Sequence, residues 1–582
     1  MNEANQPDWD HEYDVVIVGS GAGGMAAALS CKQLGLSALV IEKSEVNGGT
    51  SAVSGGGIWV PCNNQIESVG GNDTREEALI YLKHLTRGEV PESKLETYVD
   101  SAREMVLEMA SEHDVHFNSV VKYPDYFPNE PGGKPGYRTM EPEVFDLAKL
   151  DSEFEQLRAP YKGTLVMGRM AMTQVEAHTL MSRGPGWVWL TIKMMLRYAT
   201  DFKWRRRTWR DRRATLGQSL AGQLRFAMQK KDLPLWLNTG FESLIEHGGR
   251  VLGVQVQREG KSLSLRAHRG VILACGGFES NQAMREQYLP QPTQATWSVA
   301  PGCNHGEGIR AGRDLGAALG FMDLTWGTPS VLVPGATNAA GLFMERQLPG
   351  CVAVNGQGKR FANEALPYTE FVYAMLEDHA KNKAAVPCWL VFDATFRKKY
   401  PMGPMMPSSI QPDKKFPKDW ESNVYWKAET VQDLAGKIGV DAQGLQQTVA
   451  DMNRFAATGT DDQFGKGDDV FQRYYGDPNV KPNPCLAPIE KGPFYAVRIT
   501  PGEIGTKGGL ITDEAARVLR EDGSAIEGLY AVGNCSAAVM GRTYPGPGAT
   551  LGPAMTFAWL AARDIAQGKA QAQESGDIVN AA

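Results

Sequence analysis

Residues 14–42 read DVVIVGSGAGGMAAALSCKQLGLSALVIE. A short β-branched run, Val15 to Val18, leads into Gly19, Gly21 and Gly24 spaced G-x-G-x-x-G, then a helix-forming segment from Met25 to Leu34 and a second apolar run from Ala38 to Ile41. Strand, glycines, helix and strand in this order predict a βαβ unit that binds a dinucleotide. The first glycine allows the tight turn, the second lets backbone approach a pyrophosphate, and the third lets helix pack on strand. Ser20 and Ala22 lie between them, where the helix N-terminus offers unpaired N–H groups and its positive dipole end to phosphate. Glu42 ends the second strand, placed to accept both ribose hydroxyls, and an acid there favours FAD or NAD over NADP. The unit alone leaves flavin or nicotinamide undecided.

Working outward, Lys43 opens a loop to Trp59, KSEVNGGTSAVSGGGIW, too rich in Gly, Ser and Thr for regular structure. With FAD, Gly48, Gly49, Thr50 and Ser51 bring backbone and hydroxyl donors to the pyrophosphate and flavin, and Gly55 and Gly56 let the chain lie close to it. The loop has no histidine for a covalent flavin link, so non-covalent binding is expected.

Residues 75–113 carry helical spacing with charged faces and read as a solvated helical segment. The Pro-, Gly- and Tyr-dense segment from Val120 to Pro142 follows as a loop with fixed bends, in which Tyr123 and Tyr126 are pocket candidates. From Gly184 to Arg213, apolar residues Trp187 to Leu196 run into seven basic ones, the pattern of an interfacial helix with rings at the acyl boundary and cations on anionic headgroups. The run is too short to span a bilayer.

Alternation in Val251 to Val256 and Leu263 to Arg266 predicts a small antiparallel sheet that feeds into a largely apolar strand, Gly270 to Ala274, followed by Gly276-Gly277 and expected to return to the first unit's sheet. Val352 to Val354 and Arg360-Phe361 read as hairpin strands around Asn355-Gly356-Gln357-Gly358. Tyr368 follows Pro367 outside the strand. Near the C-terminus Leu529 to Val532 predicts a short strand ending at Gly533-Asn534, and Leu551 to Ile565 an amphipathic helix. Between them lies Tyr544-Pro545-Gly546-Pro547-Gly548, whose backbone N–H groups just before a helix suit a developing negative charge.

The chain has 582 residues and a formal net charge of −7, enough length for two or more domains and no bulk electrostatic reason to expect nucleic acid. Eight cysteines without C-x-x-C or regular spacing argue against a metal site or disulfide framework, and the natural compartment is reducing. The polar, acidic N-terminus lacks the basic-then-apolar pattern of a leader peptide.

Together, VVIVGSGAGG, GGTSAVSGGGIWVP, KYPDYFP, VNGQGKRFANEALPY, PGEIGTKGGLITD, GLYAVGN and TLGPAMTFA resemble the fumarate-reductase-type flavoproteins. Within them, GGGIWVP, the Tyr126 loop, Tyr368 and Tyr-Pro-Gly-Pro-Gly resemble the 3-ketosteroid Δ1-dehydrogenases. The resemblance implies an α/β fold. A Rossmann-like FAD-binding domain of the glutathione-reductase type would take residues 1–150, 214–324 and 501–582, with cofactor contacts from Gly19, Ser20, Gly21, Ala22, Gly24, Glu42, Lys43, Gly49, Thr50, Ser51, Gly55, Gly56, Gly277, Gly533, Asn534, Thr550 and Leu551. An α+β catalytic capping domain would take 325–500, and 151–213 would be an insertion carrying the interfacial helix.

The implied chemistry removes two hydrogens across C1 and C2 of a 3-ketosteroid A ring. Tyr544 and the Gly548 N–H would bind the C3 oxygen, and Tyr368, its pKa depressed by a neighbour, would take the C2 proton. Tyr126 would relay that proton, with Tyr123 its rival, and the C1 hydride would go to flavin N5. Partners so implied are a 3-ketosteroid and a quinone-type or artificial electron acceptor, in a cytoplasmic protein or one peripheral on the inner face of the cell membrane. Alternatives are desaturation elsewhere, such as Δ4, and an electron-transfer subunit without substrate chemistry.

Overall fold

The computed structural model describes residues 8–580, with side chains through Gly568. Residues 1–7, on which the leader-peptide reading partly rests, lie outside the described residues, as do 581–582.

The strand His11–Val18 sits between Ala38–Ile41 and Lys261–Leu273, parallel to both. Leu235–Trp236 extends this sheet beyond Ala38–Ile41, and Ala525–Ala531 adds a parallel strand on the far side of Lys261–Leu273. Val15 and Ile17 feed one core with the helix Ala22–Gln33 and the C-terminal helix, while Val16 and Val18 feed a second core on the opposite face. The period-2 alternation of a strand covered on both faces produces this division.

One expectation is refined here and another changes. The segments Leu263 to Arg266 and Gly270 to Leu273 belong to one continuous strand, Lys261–Leu273, with Ala274 just past its end. It pairs antiparallel with Arg250–Arg258 early and parallel with Ala525–Ala531 late, so a single strand serves both pairings. The helix starting at Leu551 runs to Asn580 and is not amphipathic over its first turns. Ala554, Met555, Phe557, Ala558, Trp559, Ala561, Ala562 and Ile565 are all buried, because it packs against Ala22–Gln33 and Glu92–His113 at once.

Residues 75–113 form two helices, Arg75–Thr86 and Glu92–His113. Thr74 caps the first in a reciprocal box with Glu77. The solvated reading holds for one face only, since Tyr81 and Tyr98 are fully buried on the other.

A second, antiparallel sheet is built on the long strand Phe494–Thr506, which pairs with Thr325–Val331, Cys388–Phe392 and Tyr425–Ala428; Cys351–Val354 pairs with Cys388–Phe392. The expected hairpin is not formed. A turn closes between the Asn355 N–H and the Lys359 carbonyl at 2.9 Å, but the buried Arg360 guanidinium grips Glu364 at 2.9 Å and Asp461 at 2.8 Å. Satisfying that buried charge takes the chain away from strand pairing. Tyr368 is the first residue of a helix, Tyr368–Asn382, entered through Pro367.

Within 151–213 the helices Gln174–Met181 and Trp187–Thr200 stand out. Trp189 (68%), Leu196 (56%) and Val188 (51%) are exposed along the second helix while Met194 is buried. Much of the basic stretch is committed internally. Arg212 pairs with Asp146 and Arg213 with Glu176, each at 2.6 Å. Arg210 donates to the Phe154 and Leu157 carbonyls and to Gln218. No helix among the described residues is long and apolar enough to cross a membrane.

Candidate active site

One cavity of about 400 Å³ runs from the G-x-G-x-x-G turn to the tyrosines. Every candidate residue named from the sequence lines it except Gly24, Gly48 and Gly277. Gly24 and Gly277 act in the wall. A Cβ on Gly24 would lie 2.0 Å from the Gly19 carbonyl oxygen, and one on Gly277 would lie 2.0 Å from the Thr506 hydroxyl.

At the dinucleotide end Gly19 takes φ +108, where a Cβ would meet the Ala274 carbonyl at 2.5 Å, so only glycine makes this turn. Gly21 caps the helix Ala22–Gln33 without a side-chain bond, and the Ala22 N–H is turned toward the Ser51 hydroxyl at 3.0 Å. A helix N-terminus whose neighbours are glycine backbone and a hydroxyl is a cradle for an anion. The buried Glu42 carboxylate accepts from the Ser20 hydroxyl at 2.6 Å and from the Ser44 N–H at 3.0 Å, which fixes its orientation at the end of the strand. Lys43 pairs with Glu307.

The loop after Glu42 is built into the site. Ser51 is buried, and the Asn304 amide donates to the Thr50 hydroxyl at 3.1 Å and to Glu279 at 2.6 Å. Burial pushes Glu279 up to about 7, against the Asn304 bond that lowers it. Gly56, at φ +67, runs so close to Leu216 that a Cβ would sit 2.2 Å from its carbonyl carbon.

At the other end three tyrosine rings converge. Tyr126 lies 5.0 Å from Tyr544 and 5.7 Å from Tyr368, and Tyr368 lies 5.6 Å from Tyr544, centroid to centroid. The loop carrying Tyr126 is tethered by a buried ion cluster in which Arg138 holds Asp125 at 2.8 Å and Asp73 at 2.6 Å. Asp125 also accepts from the Trp59 indole at 2.7 Å. The loop carrying Tyr544 is held by the Thr139 hydroxyl on the Pro547 carbonyl at 3.0 Å. Gly548 has φ +97, and a Cβ there would lie 2.6 Å from Gly57 and Ile58 backbone atoms.

Burial raises the pKa of Tyr544, while hydrogen bonds from Tyr368, Thr550 and the Gly548 N–H hold it back. The Gly548 N–H thus lies within hydrogen-bond reach of the Tyr544 phenol. Tyr368 is not depressed as expected. Burial and the neighbouring Tyr544 lift it well above its ordinary value, and its hydrogen bond to Tyr126 offsets only part of the rise.

Sequence reasoning missed much of the apolar wall. Trp326, Phe343, Phe471, Met172 and Met181 line the cavity. Trp326 meets Tyr544 edge-on at 4.8 Å and Phe343 meets Tyr368 at 5.4 Å. Tyr123 also lines the cavity, stacked 4.9 Å from Tyr474. No local motif marks Trp326, Phe343, Phe471, Met172 or Met181, since they come from separate segments that only the fold brings together.

Residues 14–551 match the family described as FAD binding domain. The chain is 43% identical over 567 residues to 3-oxosteroid 1-dehydrogenase of Comamonas testosteroni, covering 96% of this chain and 97% of that one. It is similar to 3-ketosteroid delta1-dehydrogenase from Sterolibacterium denitrificans, solved in complex with 1,4-androstadiene-3,17-dione. The TM-score is 0.94 at 53% identity, over 96% of this chain and 100% of that one. It shares a fold, at TM-score 0.65 and 21% identity, with 3-ketosteroid-delta4-(5alpha)-dehydrogenase from Rhodococcus jostii RHA1, over 97% of this chain and 99% of that one.

Proposed function

The chain belongs to the FAD-binding flavoproteins and, within them, to the 3-oxosteroid 1-dehydrogenases, and from that membership we propose that it desaturates the A ring of 3-ketosteroids between C1 and C2. FAD is its cofactor. The glycine turn, the Ala22 N-terminus, Ser51 and Glu42 fit the ADP half, and the loop to Gly56 with Gly533, Asn534, Thr550 and Leu551 fits the flavin half. No histidine of the loop offers a covalent link, which supports non-covalent binding. Bound there, FAD supplies the acceptor for the hydride that leaves C1.

The observation that carries the reading is the meeting of Tyr126, Tyr368 and Tyr544, with the Gly548 N–H beside the last. A C–H beside a ketone is too weak an acid for a simple base, so the carbonyl must first be polarised. Tyr544 and the Gly548 N–H donate to the C3 oxygen and stabilise the enolate that develops there. Tyr368 takes the C2 proton. Burial keeps it a phenol at rest, so it must release its own proton along Tyr126, the ring beside it, with Tyr123 next outward. Its place as first residue of the helix Tyr368–Asn382 puts the positive end of a dipole behind the phenolate once formed. The aromatic wall excludes water and suits an apolar ring system.

In this reading the parallel sheet with its helices is a Rossmann-like, glutathione-reductase-type domain made of 1–150, 214–324 and 501–582. The antiparallel sheet of 325–500 caps it. Met172 and Met181 bring the 151–213 insertion into the cavity wall. The exposed Val188, Trp189 and Leu196 beside it support docking on a membrane surface. Steroid would then enter from the bilayer, and electrons would pass to a quinone-type acceptor. Unchanged partition between membrane and supernatant after Val188, Trp189 and Leu196 are replaced by serine would overturn that part.

The test of the activity is anaerobic bleaching of the bound flavin by a panel of 3-ketosteroids, with the new double bond located by mass and NMR. A product unsaturated at C1–C2 is expected; one unsaturated at C4–C5 would move the reading to a Δ4 enzyme.

A further inference from the structure

Lys507 follows the long strand Phe494–Thr506 and is fully buried. Its ammonium donates to three consecutive carbonyls, those of Gly541 at 3.2 Å, Arg542, and Thr543 at 2.8 Å. The next residue is Tyr544. Nζ also lies 4.4 Å from the centre of the Trp326 ring, on which Tyr544 packs edge-on at 4.8 Å. The Trp326 indole N–H in turn donates to Asn534 at 3.1 Å. The lysine backbone is pinned at both ends, its N–H to the Leu324 carbonyl and its carbonyl to the Ala538 N–H, each at 3.0 Å.

An ammonium in this place is costly. Among the described residues no carboxylate comes within ion-pairing distance of it; Glu370 and Glu89 act on it only at longer range, and Arg542 opposes it. Burial outweighs the acids and pulls its pKa down to about 7. An apolar side chain of similar length would avoid that desolvation. What the charge supplies is a single donor centre for three carbonyls of a segment without regular structure, together with a cationic face for Trp326.

We propose that Lys507 is a positioning residue for the ketone-polarising group. It holds residues 541–543 and Trp326 so that the Tyr544 phenol is aimed at the ketone oxygen. It does not line the cavity, so it acts only through its neighbours. The inference rests on the reading of Tyr544 as the group that polarises the C3 ketone.

The test is a double-mutant cycle on the FAD-loaded enzyme, using Lys507→Met, Tyr544→Phe and the double variant. Readouts are anaerobic flavin reduction by a 3-ketosteroid and amide hydrogen exchange. With FAD bound, Lys507→Met is expected to lower the limiting reduction rate about 100-fold, the cost of roughly 1 Å of misplacement, with the half-saturating steroid concentration little changed. In the Tyr544→Phe background the same substitution should cost less than about 2-fold more, because the group it positions is gone. Amides of 541–548 should exchange faster in Lys507→Met, with those of Ala22–Gln33 unchanged.

Additive losses in the cycle would overturn the proposal, as would unchanged exchange of 541–548. Should Lys507→Met lose FAD, Lys507→Gln takes its place in the cycle, and loss of FAD by both overturns the proposal in favour of a role in the whole fold. Parental reduction by Tyr544→Phe alone would instead overturn the reading of Tyr544, and the exchange of 541–548 would still decide whether Lys507 holds the loop.

Discussion

The Tyr81 hydroxyl donates to the Pro545 carbonyl at 2.6 Å across 464 positions of sequence, and the Tyr126 N–H donates to the same oxygen at 2.9 Å. One carbonyl thereby joins the helix Arg75–Thr86, the loop of Tyr126 and the loop of Tyr544. Tyr81→Phe keeps the ring and removes one of the two donors. We expect FAD to stay bound and flavin reduction by a 3-ketosteroid to slow about 3- to 10-fold, the scale of one hydrogen bond of about 1 kcal/mol. Stopped-flow reduction under anaerobic conditions measures it.

Gly548→Ala is expected to be far more damaging to chemistry than to folding. The new Cβ would press on the backbone of Gly57 and Ile58 at 2.6 Å, moving the N–H that meets the substrate oxygen. Loss of one such donor costs about 100-fold or more in rate. The variant should hold its flavin and bleach at least that much more slowly in the same assay.

Gly24→Ala should act at the opposite end. Its Cβ would sit 2.0 Å from the Gly19 carbonyl oxygen, forcing the helix Ala22–Gln33 away from the strand and opening the phosphate cradle. The purified variant is expected to lack the visible flavin absorbance and to regain little of it on incubation with FAD.

Stability should fall on mild acidification through His113. Its ring is buried and neither nitrogen has a hydrogen-bond partner. Burial, with a smaller push from Lys231, draws its pKa from 6.5 down to about 4. Between those two values the unfolded chain binds a proton that the folded chain does not, so stability is full above the upper value and is lost as pH falls toward the lower one. His113→Gln cannot take up this proton and should flatten that part of the profile. Urea unfolding at a series of pH values compares the two slopes.

The sequence was most legible where backbone geometry leaves no choice. Gly19, Gly24 and Gly548 stand where a Cβ would collide with backbone atoms, so residue type alone marked the turn and the site. It was least legible where long-range packing decides. Arg360 looked like part of a hairpin, yet its buried pairing with Glu364 and Asp461 turns the chain elsewhere. The first turns of the C-terminal helix are buried on nearly every side because two other helices flank it, which no local periodicity records. The basic run after Trp187 read as cations for anionic headgroups, but the carboxylates that claim Arg212 and Arg213 come from Asp146 and Glu176, outside that run. Trp326 carries no motif, and Lys507 stands in PGEIGTKGGLITD with no role the motif itself reveals; their importance is a matter of which loops they touch.

The account turns on Tyr368 as the group that takes the C2 proton. The direct measurement is anaerobic reduction of the bound flavin by one 3-ketosteroid, followed in the parent enzyme and in Tyr368→Phe, with FAD content matched. The parent should bleach and release a steroid unsaturated at C1–C2, while the variant retains its flavin and bleaches at least about 100-fold more slowly. Reduction of Tyr368→Phe at close to the parental rate, giving the same product, would contradict it.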